Sequence, residues 1–355
     1  VSPGFETLLA ASADDRRGAF LATGQRLGTA EQNVEKDFWV CWVLDVLFHD
    51  LPPGGPRLLF KGGTSLSKCY GLISRFSEDI DVTVFRDDLG EGASIAALEA
   101  LSGKQRQARL DAIRSACQAY VTGPLKAQLG EILAQLLARA GLDPASGKVE
   151  VDAEDPDGQT LLIWYPAVTA AHGGYIRPAV KIESGAKSAL DPNQPTKIRP
   201  YVADDVPGLD LDIAGITAVD AARTFWDKVV ILHGLRRWFE RRGMLRGGGL
   251  RVSRHYYDIH QLFHSDIGRA AMADLDLGAD CVRHARMFFN RPDLDLATAA
   301  PGSFALRPVS GMRDKLRSDY DAMAGMIFDA VPPFDAVMHS VDELEHLLNA
   351  NSQLG

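Results

Sequence analysis

Asp79 and Asp81 are the side chains of this sequence best suited to chemistry, because two carboxylates flank a single apolar residue inside an alternating run. Ile80, Val82 and Val84 alternate with Asp79, Asp81 and Thr83, which is the period of a half-buried strand. The two aspartates then share one face, roughly 7 Å apart along the strand. Carboxylates so placed can hold one or two divalent cations, the arrangement by which phosphoryl-transfer sites neutralise a triphosphate and activate an attacking hydroxyl. Upstream, Gly62-Gly63-Thr64-Ser65 follows the apolar run Leu58-Leu59-Phe60 and is expected to open a helix. Backbone N–H groups at a glycine turn and helix N-terminus form a phosphate cradle. Alone, a Gly-Gly after a strand is an ordinary tight turn, and Asp-x-Asp an ordinary surface feature. Their combination across a helix-length spacer points to a site. The site is not a P-loop: no Gly-x-x-x-x-Gly-Lys-Ser/Thr sequence occurs, and Lys68 follows the glycines too late.

Further candidates lie downstream. In Ala179-Val180-Lys181-Ile182-Glu183 the apolar residues face one way, and Lys181 and Glu183 the other. A surface Lys-x-Glu pair is the plain reading of that pattern. From Ala218 to Arg242 an amphipathic helix is expected, with Val219, Ala222, Phe225, Trp226, Val229 and Val230 as its buried stripe. Lys228 stands among these apolar residues, either snorkelling to water or serving the site. Asp258 lies on the next helix and is suited to pair with it. Between Leu235 and His255 seven arginines, Arg236, Arg237, Arg241, Arg242, Arg246, Arg251 and Arg254, face the single acid Glu240. The segment is either the solvated end of a long helix or a contact for a triphosphate or RNA backbone, for which Arg236, Arg237, Arg241 and Arg242 are the candidates.

These residues resemble the polymerase-β-like nucleotidyltransferase superfamily, whose signature is Gly-Gly/Ser followed by Asp-apolar-Asp/Glu. Within it, the stretches FKGGTSLSK (60–68) and RFSEDIDV (75–82) are similar to AbiEii/AbiGii-type nucleotidyltransferase toxins of toxin–antitoxin and phage-defence operons. The resemblance extends to Val34-Glu35-Lys36-Asp37-Phe38-Trp39, Lys181-Ile182-Glu183, Thr224-Phe225-Trp226-Asp227-Lys228 and Arg254-His255-Tyr256-Tyr257-Asp258-Ile259. It implies a Mg2+- or Mn2+-dependent enzyme with metal at Asp79 and Asp81 and nucleotide phosphates at Lys61, Gly62, Gly63, Thr64, Ser65 and Lys68. Glu183 would be a third carboxylate, as metal ligand or base, while Lys228 would stabilise the leaving pyrophosphate with Asp258 beside it. The implied donor is a nucleoside triphosphate and the implied acceptor an RNA, above all the tRNA 3′ end, whose modification blocks translation. A cognate antitoxin encoded nearby is the implied partner. Two rivals are a nucleotidyltransferase or kinase-like enzyme acting on a protein, and a nucleotide-binding module without catalysis.

The elements expected to position these residues form an α+β fold: a polymerase-β-like core with a small mixed sheet and flanking helices, plus a helical C-terminal domain. The expected divisions are 1–50 for N-terminal helices, 51–205 for the catalytic core, and 206–355 for a helical domain bringing Lys228 and Asp258 to the cleft. Two helices are expected in the first fifty residues, the second capped by Thr29 with Gln32, before Leu51-Pro52-Pro53-Gly54-Gly55-Pro56 breaks the chain. Further strands are expected at 148–151, 160–165 and 175–183, and C-terminal helices at 267–289, 312–328 and 334–349. Composition is that of a globular protein, 46% hydrophobic and 24% charged, with net charge −9 arguing against a general nucleic-acid coat. The lack of a signal-like or membrane-length apolar segment and four scattered cysteines lead to the expectation of a cytoplasmic protein with reduced thiols and no zinc site.

Overall fold

The chain forms a mixed seven-stranded sheet with helices, an α+β architecture, and divides into two compact units. The computed structural model describes residues 2–77, 79–169, 177–249, 251–328 and 330–350. The first unit runs to Cys69 and resumes from Phe76 to Val219; the second comprises Tyr70–Arg75 and the chain from Asp220 onward.

The sheet belongs to the first unit. Its strands are β1 (Leu58–Lys61), β2 (Asp79–Val84), β3 (Lys148–Val151), β4 (Thr160–Trp164), β5 (Ala179–Gly185), β6 (Asn193–Ile198) and β7 (Ile213–Val219), in the order β3-β4-β5-β2-β1-β7-β6. β2 is therefore central, antiparallel to β1 and parallel to β5. Ile80, Val82 and Val84 of β2 are wholly buried, as are Leu59 and Phe60 of β1 and Val180 and Ile182 of β5. The helix Glu31–Asp45 packs on this sheet; apart from its first two residues it is buried all round, which marks it as a core helix rather than a surface one. Phe38, Trp39, Trp42 and Leu44 fill the space between it and its neighbours, and the Trp39 ring stacks on Tyr165 at 5.1 Å.

Several boundaries differ from those expected. The first fifty residues make three helices, Pro3–Ala10, Ala13–Leu27 and Glu31–Asp45, all within the unit that holds the sheet. Thr29 does not cap the third helix; its N-cap is Ala30, and Thr29 Oγ1 instead accepts from Asn33 Nδ2 at 2.8 Å. The core extends past residue 205 to Val219, because β7 pairs with both β1 and β6. The third expected β run starts at Ala179; its residues 175 and 176 lie outside the described ones.

The second unit is built on the 22-residue helix Ala221–Arg242, whose buried residues include Phe225, Trp226, Val229 and Leu232. Helices Ser253–Phe263, Asp266–Ala273, Leu275–Phe288, Ser310–Met323 and Phe334–Ala350 complete it. The run expected as one helix over 267–289 is two, because Asp274 turns the chain and its Oδ1 accepts from the Leu277 N–H at 2.9 Å, capping the second. No helix among the described residues is long and apolar enough to cross a membrane.

Candidate active site

The pairing register places the acidic residues on one face. Asp81 lies across from Lys61 of β1 and Glu183 of β5, and Asp79 across from Lys181. Paired residues on neighbouring strands project to the same side, so Asp79, Asp81, Lys61, Lys181 and Glu183 share a face opposite Ile80, Val82 and Ile182. Asp79 and Asp81 are half-buried, which keeps them within reach of a ligand. Lys61 Nζ is 3.7 Å from Asp81 Oδ1, with both side chains a little over a quarter exposed.

The glycine turn opens this face. Gly62 adopts φ +82°, a left-handed conformation that glycine alone enters readily, and a Cβ there would overlap the Asp81 carboxylate. The absence of a side chain at residue 62 thus leaves the space in which Asp81 sits. Gly62–Lys68 is helical, as expected. The hydroxyls of Thr64 and Ser65 turn inward: Thr64 Oγ1 donates to the Asp79 carbonyl at 2.5 Å and lies 2.8 Å from Ser77 Oγ, while Ser65 Oγ donates to the Gly62 carbonyl at 2.9 Å. These bonds brace the turn against the start of β2, so any phosphate contact by this segment falls to backbone N–H groups.

Lys68, expected among the phosphate contacts, is placed in the interior. Its ammonium pairs with Asp37, stands 3.2 Å from the centre of the Tyr201 ring and donates to the Arg199 carbonyl at 3.3 Å. Burial is the largest influence and opposes its charge, but the Asp37 carboxylate together with Tyr201 and Cys41 more than reverses it and raises the Lys68 pKa. Asp37 also accepts from the Tyr201 N–H at 2.7 Å, and Glu35 accepts from the N–H groups of Val168 (2.8 Å) and Thr169 (3.0 Å). The acidic residues of the 34–39 stretch therefore anchor loops to the core helix. Two acids beside large apolar residues are a visible sequence signal, but the loops they anchor, at Val168, Thr169 and Tyr201, lie more than a hundred residues away.

Glu183 stands in register with Asp81, as a third carboxylate would, but its Oε1 is 2.8 Å from Lys181 Nζ. Lys181, to which the sequence assigns no role of its own, carries the cation of that pair. Burial tends to lower its pKa, and the hydrogen bond to Glu183 with the charges of Glu183, Asp79 and Asp152 more than reverses that, so it is held above the usual lysine value. Among the described residues no three carboxylate, histidine or cysteine side chains converge as a metal-binding group.

Lys228 and Asp258 belong to the second unit, where they form a buried ion pair of 2.8 Å. Arg75 completes it, donating through Nε to Oδ1 (2.7 Å) and through Nη2 to Oδ2 (2.9 Å) of Asp258. Burial alone would raise the Asp258 pKa; the two cations outweigh it and hold the carboxyl far below the usual range. Lys228 is lowered, by burial first and by the Arg75 charge as well. The four arginines proposed for RNA or phosphate find acids in this unit: Arg236 and Arg237 at Glu240 (2.7 and 3.0 Å), Arg241 at Asp295 (3.4 Å) and Arg242 at Asp293. Much of the basic charge of this segment is thus met internally.

The oxygen-only chemistry of Asp79 and Asp81, half-buried on one face of β2, fits a hard divalent cation such as Mg2+ or Mn2+. No curated protein matches the chain. Among solved structures it is similar to MenT4, a nucleotidyltransferase toxin from Mycobacterium tuberculosis, with 16% identity, TM-score 0.47, and coverage of 94% of this chain and 91% of that one. A family model described as nucleotidyl transferase AbiEii toxin, type IV toxin–antitoxin system, matches residues 45–343. That match spans most of the chain, both units and every element that carries Asp79, Asp81, Lys228 and Asp258, and the chain belongs to the AbiEii nucleotidyltransferase toxin family.

Proposed function

We propose that the chain transfers a nucleoside monophosphate from a nucleoside triphosphate to RNA, at the tRNA 3′ end, and so arrests translation until a cognate antitoxin counters it. The observation that carries this reading is the face on which Asp79 and Asp81 stand in register with Lys61, opened by Gly62. In the transfer, an acceptor hydroxyl oxygen bonds to the α-phosphorus and the α–β anhydride bond breaks. Pyrophosphate leaves, and the hydroxyl proton passes to a carboxylate of the face or to water. Asp79 and Asp81 would hold Mg2+ or Mn2+, which when bound supplies charge neutralisation for the triphosphate. Lys61 is open to a phosphate, since its contact with Asp81 is long and partly exposed and can exchange for a stronger anion. The inward bonds of Thr64 and Ser65 fix the backbone between the two glycines and β2, so positioning rather than covalent chemistry is the protein's contribution. Support for an RNA acceptor comes from membership in a toxin family, whose action requires an essential target.

The test is incubation of the purified chain with Mg2+, total tRNA and each α-labelled nucleoside triphosphate in turn, beside an Asp79→Ala/Asp81→Ala control. Label on tRNA with the unsubstituted chain alone is the expected result and identifies the donor. Label on polypeptide would move the acceptor to protein, and label nowhere with intact triphosphate binding would leave a binding module.

A further inference from the structure

The acidic face contains cations that belong to the chain itself, and one of them occupies the side where a third metal ligand was expected. Lys181 lies across from Asp79 on the parallel strand β5. Its ammonium is 2.8 Å from Glu183 Oε1 and 3.8 Å from Asp152 Oδ2, so it ties β5 to the end of β3. On the other flank Lys61 reaches Asp81 at 3.7 Å. Asp79, Asp81, Asp152 and Glu183 thus share this region with the ammonium groups of Lys61 and Lys181. An isolated surface Lys–Glu pair contributes little. Lys181 differs in that it engages Glu183 on its own strand and Asp152 just past the end of β3, and stands in the same row as Asp79. A divalent ion shared by Asp81 and Glu183 would have to displace Lys181 or bind against its charge.

We propose that Lys181 is a positioning residue that stands in for a metal ion on the Glu183 side of the face. It holds Glu183 and Asp152, so Glu183 is not a metal ligand, and the nucleotide-free protein takes a single divalent cation, at Asp79 and Asp81. The inference rests on the reading of Asp79 and Asp81 as the metal pair. Any second cation then enters only with the triphosphate, which brings its own negative charge.

The experiment is titration of the full chain with Mn2+ in the absence of nucleotide, followed by electron paramagnetic resonance, which counts bound ions and reports their ligand environment. The unsubstituted chain is expected to bind one Mn2+, and Asp81→Asn none. Glu183→Gln should still bind one ion with an unchanged bound-ion spectrum. Lys181→Met should accept a second ion and bind the first about tenfold tighter, since a unit charge near a divalent ion has been removed. Loss of the ion or an altered spectrum in Glu183→Gln would make Glu183 a ligand and overturn the inference while leaving the metal pair standing. Two ions on the unsubstituted chain, or only one on folded Lys181→Met, would overturn it equally. If Lys181→Met melts early, the spectrum of Glu183→Gln decides alone. No binding by the unsubstituted chain, or binding indifferent to Asp81→Asn, would instead remove the Asp79–Asp81 reading itself.

Discussion

A missing side chain shapes the proposed site as much as any present one. Gly62 meets two separate demands, a φ of +82° and the closeness of the Asp81 carboxylate, and alanine satisfies neither. Alanine at a left-handed position is strained by about 1–3 kcal/mol. The overlap with Asp81 adds a displacement, and shifts of about 1 Å near reacting groups can lower rates on the order of a hundredfold. Gly62→Ala is therefore expected to reduce transfer about a hundredfold or more while leaving a folded chain. Gly130→Ala, at a helical position where a Cβ meets nothing within 4 Å, should match the unsubstituted chain in the same labelled-triphosphate assay. Equal activity of the two variants would show that the space beside Asp81 is not used. The need for glycine was legible in the sequence as a turn after a strand. Its second reason, the approach of a carboxylate 19 positions on, required the register of β1 against β2.

At the scale of elements, strands with strict alternation and large apolar residues were legible and the others were not. β2 reads directly because Ile80, Val82 and Val84 alternate with polar residues. β6 carries Pro195 on an edge strand and has little apolar content, while β7 holds Gly215 at φ +84° and its pairing with β6 is irregular beside it. Neither shows a period-2 signal, and missing them placed the end of the core too early. Lys68 is a further case: the family resemblance implies a phosphate contact, whereas Asp37 and Tyr201 hold it inside. Arg75 carries no sequence signal of its role, because it lies in the connection between the glycine helix and β2, yet Tyr70–Arg75 belongs to the second unit and Arg75 bridges there to Ile327. Its two charge-assisted hydrogen bonds to the fully buried Asp258 tie that segment into the unit. Arg75→Ala should destabilise the second unit by about 3–5 kcal/mol, the usual consequence of removing one partner from a buried ion pair. Urea unfolding provides the check. A midpoint unchanged by the substitution would mean that Lys228 alone satisfies Asp258.

Across the whole molecule, acid sensitivity should concentrate in the second unit, because three of its histidines sit in surroundings that favour the neutral ring. His233 accepts the Ala305 N–H at Nδ1 (3.1 Å), while its Nε2 is 3.2 Å from the Asp295 carbonyl, so the proton sits on Nε2 and a second one would oppose the Ala305 donor. Burial lowers its pKa, and burial likewise lowers His255 far below the ordinary histidine value. His260 shares the Ser340 hydroxyl with His264, and burial with the His264 charge pushes its pKa down to about 4. In the unfolded chain all three take up a proton near pH 6.5. Between that pH and about 4 the unfolded state therefore binds more protons than the folded state, and stability rises with pH. The stabilising contribution is complete above pH 6.5 and is lost on acidification toward the folded-state values. Asp258 does not counter this, since its depressed pKa keeps it ionised throughout the same window. Thermal melts at pH 7.5 and pH 5 should show a lower Tm at pH 5, and His260→Gln should shrink the difference by removing one of the three groups. Equal Tm values at the two pH values in the unsubstituted chain would mean that the histidines are protonated in place, and would contradict the neutral role that the Ala305 N–H assigns to His233.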